Sequence, residues 1–224
     1  MLIVLTSHEQ LGSTGKETGY YLPELTHPLY ALLAAGYKVD IASPKGGKAP
    51  MDPKSKKLDD PENKKFVEDP KMMEKVEHTL KLSSLKADNY EAILFPGGHG
   101  PMWDLADNRE SQKLTREIYE HGGVVAAVCH GPAGIVNVKL SNGKYLVEGK
   151  KVTGFSNDEE KAVELDKVVP FLLESSLIER GAKFEKAPLW QEKVVSDGHL
   201  ITGQNPASAK GVGEAITKAL QKKD

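Results

Sequence analysis

Only one cysteine, Cys129, occurs in the 224 residues of the chain, so the chain has no pair of thiols for an internal disulfide bond. Such a low cysteine content is usual for proteins of the reducing cytosol. Neither sign of charge is in excess, because 30 Lys and Arg residues face 32 Asp and Glu residues, for a formal net charge of −2. A dedicated nucleic-acid-binding protein usually carries a clear basic excess. These absences predict a cytoplasmic protein that does not bind nucleic acid.

Long hydrophobic runs are absent as well. No apolar stretch approaches the roughly 18–20 residues that a membrane-spanning helix needs. The start of the chain, MLIVLTSHEQ, has no basic segment ahead of its short apolar run, which argues against a signal peptide. We therefore expect no membrane partner. The composition, 39% hydrophobic and 28% charged, is that of a globular protein, and the length fits a single domain over residues 1–224.

Short all-apolar runs alternate with longer helical patterns along the chain. Each run is bounded by Gly, Pro or Ser, which is typical of strands that are buried on both faces of a parallel sheet. The predicted strands cover residues 2–5, 39–42, 92–95 and 124–128. The predicted helices cover residues 23–36, with a kink at Pro28, 111–120 and 206–220. This alternation predicts an α/β protein with a three-layer sandwich around a mostly parallel sheet.

Three segments depart from this alternation. Residues 44–81 contain ten lysines and eight acidic residues, and these mixed signs favour a solvated insertion over a phosphate-binding patch. We predict an insertion or lid over residues 44–82. Hairpins are predicted over residues 145–155, with the turn at Glu148-Gly149, and over residues 194–202, with the turn at Asp197-Gly198.

The strongest chemical signal is the sequence VVAAVCHGPAGIV, in which a predicted buried strand ends directly at Cys129. A helix of small residues is expected to begin at about Gly131-Pro132, so the cysteine would lie on a sharp strand-to-helix turn. A helix N-terminus there favours the thiolate and lowers the pKa of a cysteine from its usual ~8.5. The alternative is a buried structural cysteine. The position at a strand end, ahead of His-Gly-Pro, favours a nucleophile.

A cysteine nucleophile needs a base and a group that orients that base. His130 is adjacent in sequence and is a candidate acid and base. Candidates for its orienting carboxylate are Asp158, Glu159 and Glu160, although an acidic run of this kind is usually a helix N-terminus at the surface. Glu24, in the first turn of a predicted helix, is interpreted by its spacing alone as a favourable charge at a helix N-terminus.

The segment FPGGHGPMWDL is rich in glycine directly after a predicted strand. Its backbone N–H groups at Gly97 and Gly98 are candidates for holding an oxyanion or a carbonyl oxygen. The segment matches neither GxGxxG nor GxxxxGK[ST], so nucleotide binding is unsupported. The seven histidines and the single cysteine show no HExxH or CxxC spacing. We therefore expect no metal and no other cofactor.

Four segments together resemble the ThiJ/PfpI superfamily: FPGGHGPMWDL, GGVVAAVCHGPAGI, GKKVTGFSNDEE and VVSDGHLITGQNPAS. The likeness covers nearly the whole chain in order. It is greatest to the branch of small heat-shock-type chaperones and glyoxalase III enzymes. The resemblance implies a flavodoxin-like sandwich, related to class I glutamine amidotransferase domains, that forms a homodimer.

The resemblance also implies roles for particular residues. Cys129 is similar to the family's nucleophile and His130 to its triad histidine, while Glu24 is similar to a glutamate that contacts the thiol and handles protons. The third triad member is an acid a few residues after the T-G-F strand, which is Glu160 if the spacing holds. The positions that resemble the rim of the pocket are Gly98 and His99.

The function that the resemblance implies is that of a cofactor-independent glyoxalase III, which converts methylglyoxal, a small 2-oxoaldehyde, to D-lactate through a cysteine hemithioacetal. A holding chaperone for unfolded protein clients and a deglycase are the alternatives, with an intracellular peptidase as a more distant one. A class I glutaminase pairs its cysteine with a distant His-x-Glu. No histidine in this chain has Glu two residues later, so that activity is excluded.

Overall fold

A seven-stranded, mostly parallel sheet forms the centre of the protein in the computed structural model, which describes residues 1–222. Its strands are β1 (Leu2–Val4), β2 (Asp40–Ser43), β3 (Leu80–Lys81), β4 (Ala92–Phe95), β5 (Val124–Val128), β8 (Val194–Asp197) and β9 (Leu200–Gly203). The order across the sheet is β3-β2-β1-β4-β5-β9-β8. Strands β8 and β9 are antiparallel, and the other neighbouring pairs of this sheet are parallel. The predicted α/β fold class is confirmed.

Helices flank this sheet. They are α1 (Leu22–Ala34), α2 (Pro61–Glu68), α3 (Pro70–Glu77), α4 (Pro101–Asp104), α5 (Arg109–Glu120), α6 (Asn157–Ala162), α7 (Leu173–Glu179) and α8 (Ala209–Gln221). Within the described residues, no helix combines the length and the apolar character that crossing a bilayer requires. The core lies on the central strands, because every residue of β1, β4 and β5 is buried.

Helix α1 carries one of the candidate site residues and is held firmly against α8. It continues through Pro28 to Ala34 without interruption. A Cβ at Gly213 of α8 would lie only 2.7 Å from the Cα of Pro28, so the two helix backbones approach more closely than a larger residue allows. This close packing fixes the first turn of α1 relative to the sheet.

One local prediction is wrong and another holds only in part. Residues 145–155 do not form a hairpin, because β6 (Lys151–Val152) pairs in parallel with β7 (Lys183–Phe184) in a separate two-stranded sheet. The helix of small residues after Cys129 is only a short 3₁₀ helix, Gly131–Gly134. The hairpin predicted over residues 194–202 is confirmed by the antiparallel pairing of β8 with β9.

The charged segment over residues 44–82 contains α2, α3 and β3 and is attached to the rest of the fold. The hydroxyl of Thr26 in α1 donates to the Oδ1 of Asn63 in α2 at 2.7 Å, and both side chains are buried. At the other end of the segment, β3 adds a short parallel strand beside β2. The segment is therefore an ordered part of the sandwich, and its role as a lid stays a prediction, as does the single-domain organisation.

Candidate active site

Cys129 follows the last residue of β5 and has a left-handed backbone conformation, with φ at 61°. Residues other than glycine seldom adopt this conformation, and such strain is common at functional sites. The chain then passes so close to β4 that a Cβ at Gly131 would collide with the carbonyl oxygen of Phe95. The N–H of Cys129 donates to the carbonyl oxygen of Gly203 at 2.9 Å, which ties the turn to β9. The cysteine is therefore held at the carboxyl end of the sheet.

His130 connects this thiol to a buried carboxylate. Its Nδ1 lies 3.4 Å from the Sγ of Cys129, and its Nε2 lies 2.6 Å from the Oε2 of Glu160. Burial and the neighbouring His99 lower the pKa of His130, so the imidazole is neutral near pH 7. A carboxylate only accepts hydrogen bonds, so Nε2 carries the proton and Nδ1 presents a lone pair towards the thiol.

Glu160 is the carboxylate that orients His130, which resolves the choice among three adjacent acids. Burial opposes its ionisation, but the hydrogen bonds and charges of His130 and His99 outweigh burial and hold the pKa of Glu160 well below its usual range. Asp158 lies at the surface and pairs with Lys186. Asp158 therefore does not contact His130.

Glu159 is buried but has a structural task. Its Oε2 accepts from the backbone N–H and the hydroxyl of Ser156, which completes a capping box on α6. Its Oε1 accepts from the N–H of Trp190 at 3.1 Å and from the side chain of Asn205 at 2.8 Å. This carboxylate joins α6 to two neighbouring loops.

Glu24 lies in the first turn of α1 and is fully buried. Its Oε2 accepts the N–H of Gly97 at 2.7 Å, and the carboxyl also interacts with the side chain of Cys129. Burial raises the pKa of Glu24 to about 8. Near pH 7 the side chain is therefore mostly a neutral carboxylic acid in contact with the thiol. Since the Gly97 N–H is engaged by Glu24, Gly98 is the glycine of the predicted pair whose N–H faces the sulfur.

This raised pKa has a consequence for stability. The pKa of Glu24 rises from 4.5 to about 8 on folding, so the unfolded chain loses this proton first as the pH increases. We expect the free energy of unfolding of Glu24→Gln, relative to the wild type, to increase by up to about 4 kcal/mol between about pH 5 and pH 8. Urea unfolding of both proteins at the two pH values measures this difference. A difference independent of pH would contradict the raised pKa.

The pKa of the thiol differs from the value expected from the sequence. Burial raises the pKa of Cys129, and a charged Glu24 raises it further, whereas the N–H of Gly98 lowers it. The expected lowering of the thiol pKa is not found, because burial and Glu24 outweigh the N–H of Gly98. The helix that follows the cysteine is only a four-residue 3₁₀ helix. A protonated Glu24 carries no charge, so it does not raise the pKa of the thiol in this way. Its acid proton is then available as a hydrogen-bond donor.

A cavity of about 160 Å³ opens beside these groups. Its lining near the thiol includes Gly98, His99, Cys129 and His130. Its apolar lining residues are Leu11, Phe155, Val163, Leu165, Trp190 and Pro206. Tyr21, Glu17, Asp52 and Lys54 complete the wall. Four of the predicted site residues, Gly98, His99, Cys129 and His130, thus line one cavity, and Glu24, Gly97 and Glu160 contact them from behind its wall.

His99 shares Glu160 with His130. Its Nε2 lies 2.8 Å from the Oε1 of Glu160, and its ring centroid is 4.0 Å from that of His130. Histidine, cysteine, aspartate and glutamate side chains can bind metal ions. Among the described residues, His99, His130 and Glu160 are the one group of three such side chains whose ligand atoms are close enough to share a metal ion. The same atoms make the two short hydrogen bonds to the carboxylate, so the group is an N–H···O network as it stands.

Several cavity residues were missed in the sequence. Trp190 lies in a loop without helical or strand periodicity, and Asp52 and Lys54 come from the charged segment, where solvated side chains were expected. Phe155 was assigned only to a predicted hairpin strand, whereas its ring lies 4.3 Å from the ring of His130. No local pattern marks these positions, because they reach the cavity through long-range packing.

Comparison with known proteins identifies relatives over the full length. A sequence profile of the DJ-1/PfpI family matches residues 17–219. The glutathione-independent glyoxalase HSP31 of Saccharomyces cerevisiae is 31% identical over 99% of this chain and 98% of its own. Glyoxalase 3 of Candida albicans is 30% identical over 99% of this chain and 98% of its own.

Solved structures agree closely with the fold. The Rapid Encystment Protein 24 KDa of Francisella tularensis superposes with a TM-score of 0.95 at 44% identity, covering 98% of this chain and 97% of its own. Glyoxalase III from Candida albicans superposes with a TM-score of 0.89 at 29% identity, covering 97% of this chain and 95% of its own.

Proposed function

The chain belongs to the DJ-1/PfpI family, and we propose that it is a glutathione-independent glyoxalase that converts methylglyoxal to D-lactate. The observation that carries this proposal is a thiol in contact with two proton-handling groups. Cys129 contacts the lone pair of His130 and the carboxyl group of Glu24. The full-length likeness to proteins named as glyoxalases supports the same chemistry.

The first step is addition of the thiol to the aldehyde. The Sγ of Cys129 forms a bond with the aldehyde carbon C1, and its proton passes to Nδ1 of His130 and then to the aldehyde oxygen. The product is a hemithioacetal. The N–H of Gly98, which faces the sulfur, is close to the developing oxyanion and stabilises it.

The second step moves hydrogen between the two carbons. Because the pKa of Glu24 is about 8, a minor fraction of the molecules has its carboxylate form near pH 7, and this form takes the proton from C1. The electron pair forms the C1–C2 double bond of an enediol. The hydroxyl proton on the C1 oxygen passes through His130 to the C2 oxygen. Glu24 then returns its proton to C2, which leaves a lactoyl thioester. Because Glu24 is fixed on α1 and delivers the proton to one face, a single enantiomer forms.

The third step releases the product. Water adds to the thioester carbonyl while His130 accepts one of its protons, and the carbon–sulfur bond breaks. The proton on His130 then returns to the sulfur, so the overall reaction consumes one methylglyoxal and one water per lactate. Glu160 keeps the Nε2 proton of His130 in place throughout, which leaves Nδ1 as the atom that exchanges protons.

The test is incubation of the purified protein with methylglyoxal, without glutathione, followed by chiral analysis of lactate. We expect D-lactate to accumulate. Racemic lactate or no lactate would contradict the proposal. A parallel incubation with methylglyoxal-modified acetyl-lysine separates a glyoxalase from a deglycase, since only a deglycase releases the amine faster than the adduct dissociates by itself.

We further expect EDTA to leave the turnover of methylglyoxal unchanged. Each proton transfer described above is assigned to Glu24 or His130, so no step needs a Lewis acid. Rates before and after dialysis against EDTA, and after addition of Zn²⁺, measure this. A loss on dialysis that Zn²⁺ restores would assign the cluster of His99, His130 and Glu160 to a metal.

The remaining expectations stay predictions. They are a holding-chaperone role for unfolded protein clients, a cytoplasmic location, a homodimer and, more distantly, an intracellular peptidase activity. Suppression of the aggregation of a denatured client, measured for the wild type and for a variant without turnover, separates chaperoning from catalysis.

A further inference from the structure

The catalytic cavity is larger than its smallest substrate requires. Methylglyoxal has three carbon atoms, and its two carbonyl groups belong beside Cys129. An apolar cavity of about 150 Å³ holds a benzene ring, and this whole cavity has about 160 Å³ and reaches the surface at the exposed side chain of Trp190. The end of the cavity at Phe155 and Trp190, here called the apolar end, therefore takes a substituent on the ketone carbon that is larger than methyl and that extends towards this opening.

Trp190 forms the mouth of this apolar end and has an unusual backbone. Its φ is 63°, which is strained for a bulky residue. Its N–H donates to the buried carboxylate of Glu159 at 3.1 Å, and this hydrogen bond stabilises the strained conformation. The side chain nevertheless remains 47% exposed. A large aromatic ring left open at the mouth of a catalytic cavity, at the expense of backbone strain, points to a task in binding.

A series of rings leads from the catalytic imidazole to this tryptophan. The centroid of Phe155 lies 4.3 Å from that of His130, and the centroid of Trp190 lies 5.8 Å from that of Phe155. Both distances are in or near the range in which aromatic rings attract one another. A flat apolar group attached to the reacting carbonyl carbons would extend along these rings.

We propose that Trp190 is a specificity-determining residue that selects 2-oxoaldehydes carrying an aryl substituent. This inference rests on the proposed glyoxalase function and specifies its substrate class. The dicarbonyl group lies at Cys129 and His130, and the aryl ring lies against Phe155 and Trp190 at the apolar end. Phenylglyoxal is the simplest member of this class, and its product is mandelate.

The test compares kcat/KM for phenylglyoxal and methylglyoxal in the wild type, Trp190→Ala and Trp190→Phe. We expect the ratio of the two values to fall about tenfold in Trp190→Ala, which is typical for the loss of an aromatic contact together with its apolar area. Trp190→Phe should retain most of the ratio. Trp103, whose ring stacks on His8 away from the cavity, supplies the matched control Trp103→Phe, in which the ratio should not change.

Binding gives a readout independent of turnover. Calorimetric titration with mandelate and with lactate should show tighter binding of mandelate to the wild type and loss of that preference in Trp190→Ala. An equal fall in kcat/KM for both aldehydes, or equal affinities for both acids in the wild type, would overturn the inference. Turnover of neither aldehyde would refute the proposed function instead, and the mandelate preference would then still decide whether the aryl subsite exists.

Discussion

Replacement of Cys129 by alanine is expected to abolish the turnover of methylglyoxal and to leave the fold intact. The thiol is the only sulfhydryl group of the chain, and without it no hemithioacetal forms. Removing one sulfur atom leaves the N–H of residue 129 bonded to Gly203 and leaves the turn at Gly131 unchanged. Lactate production, measured by chiral analysis, should fall to the uncatalysed rate.

Cys129→Ser is the matched control for this variant. It keeps the size of the side chain and a hydroxyl proton, but an alkoxide at this position is far less accessible near pH 7 than a thiolate. Both variants should melt close to the wild type. If Cys129→Ala kept most of its lactate production, the covalent mechanism would be wrong, whatever the residual rate of Cys129→Ser.

Glu24→Gln is expected to lower the turnover rate by ~10²–10⁴, the usual contribution of a general acid–base group. The amide has nearly the shape of the acid and still accepts from the N–H of Gly97, but it neither takes a proton from C1 nor returns one to C2. The variant also removes a negative charge beside the sulfur above about pH 8, so iodoacetamide should label Cys129 faster there than in the wild type.

Glu110→Gln is the control, because Glu110 also lies in the first turn of a helix, α5, but at the surface. If an acidic residue at Glu24 only complemented the helix dipole, both variants would lose about 0.3–1 kcal/mol of stability and keep normal turnover. Turnover, labelling rate and melting temperature measured on the same preparations separate the two interpretations. Normal turnover in Glu24→Gln would show that His130, and not Glu24, moves the proton between C1 and C2.

The central sheet is predictable from the sequence because its strands are buried on both faces. Residues 92–95 and 124–128 are continuous apolar runs between breakers, and the structure has β4 and β5 at these same bounds. The pairing of β6 with β7 was missed because its partners are more than thirty residues apart, and the turn at Gly149 resembles a hairpin signal. Local patterns do not encode such long-range parallel contacts.

The candidate site also combines residues that a local sequence pattern marks with residues that only long-range packing brings together. Cys129 has a local signal, a strand that ends at a turn of small residues, and the structure strains its backbone there. Glu24 has no such signal, because its meeting with the thiol depends on how α1 is packed across the sheet. The choice of Glu160 over its neighbours depends on which face of α6 points to His130, and three acids in a row hide that face from sequence reasoning.

Glu159 and Glu160 are adjacent, yet one carboxylate joins loops and the other holds two imidazoles. Successive residues of a helix point about 100° apart, so each is confined to its own direction. Deleting one residue between Phe155 and Glu159 would turn α6 by that angle, so that Glu160 would take the direction of Glu159 and Lys161 would face His130. Both carboxylates would still be present, but the hydrogen bonds of Glu160 to His99 and His130 would be lost. The length of this connection is therefore as important to the site as its composition.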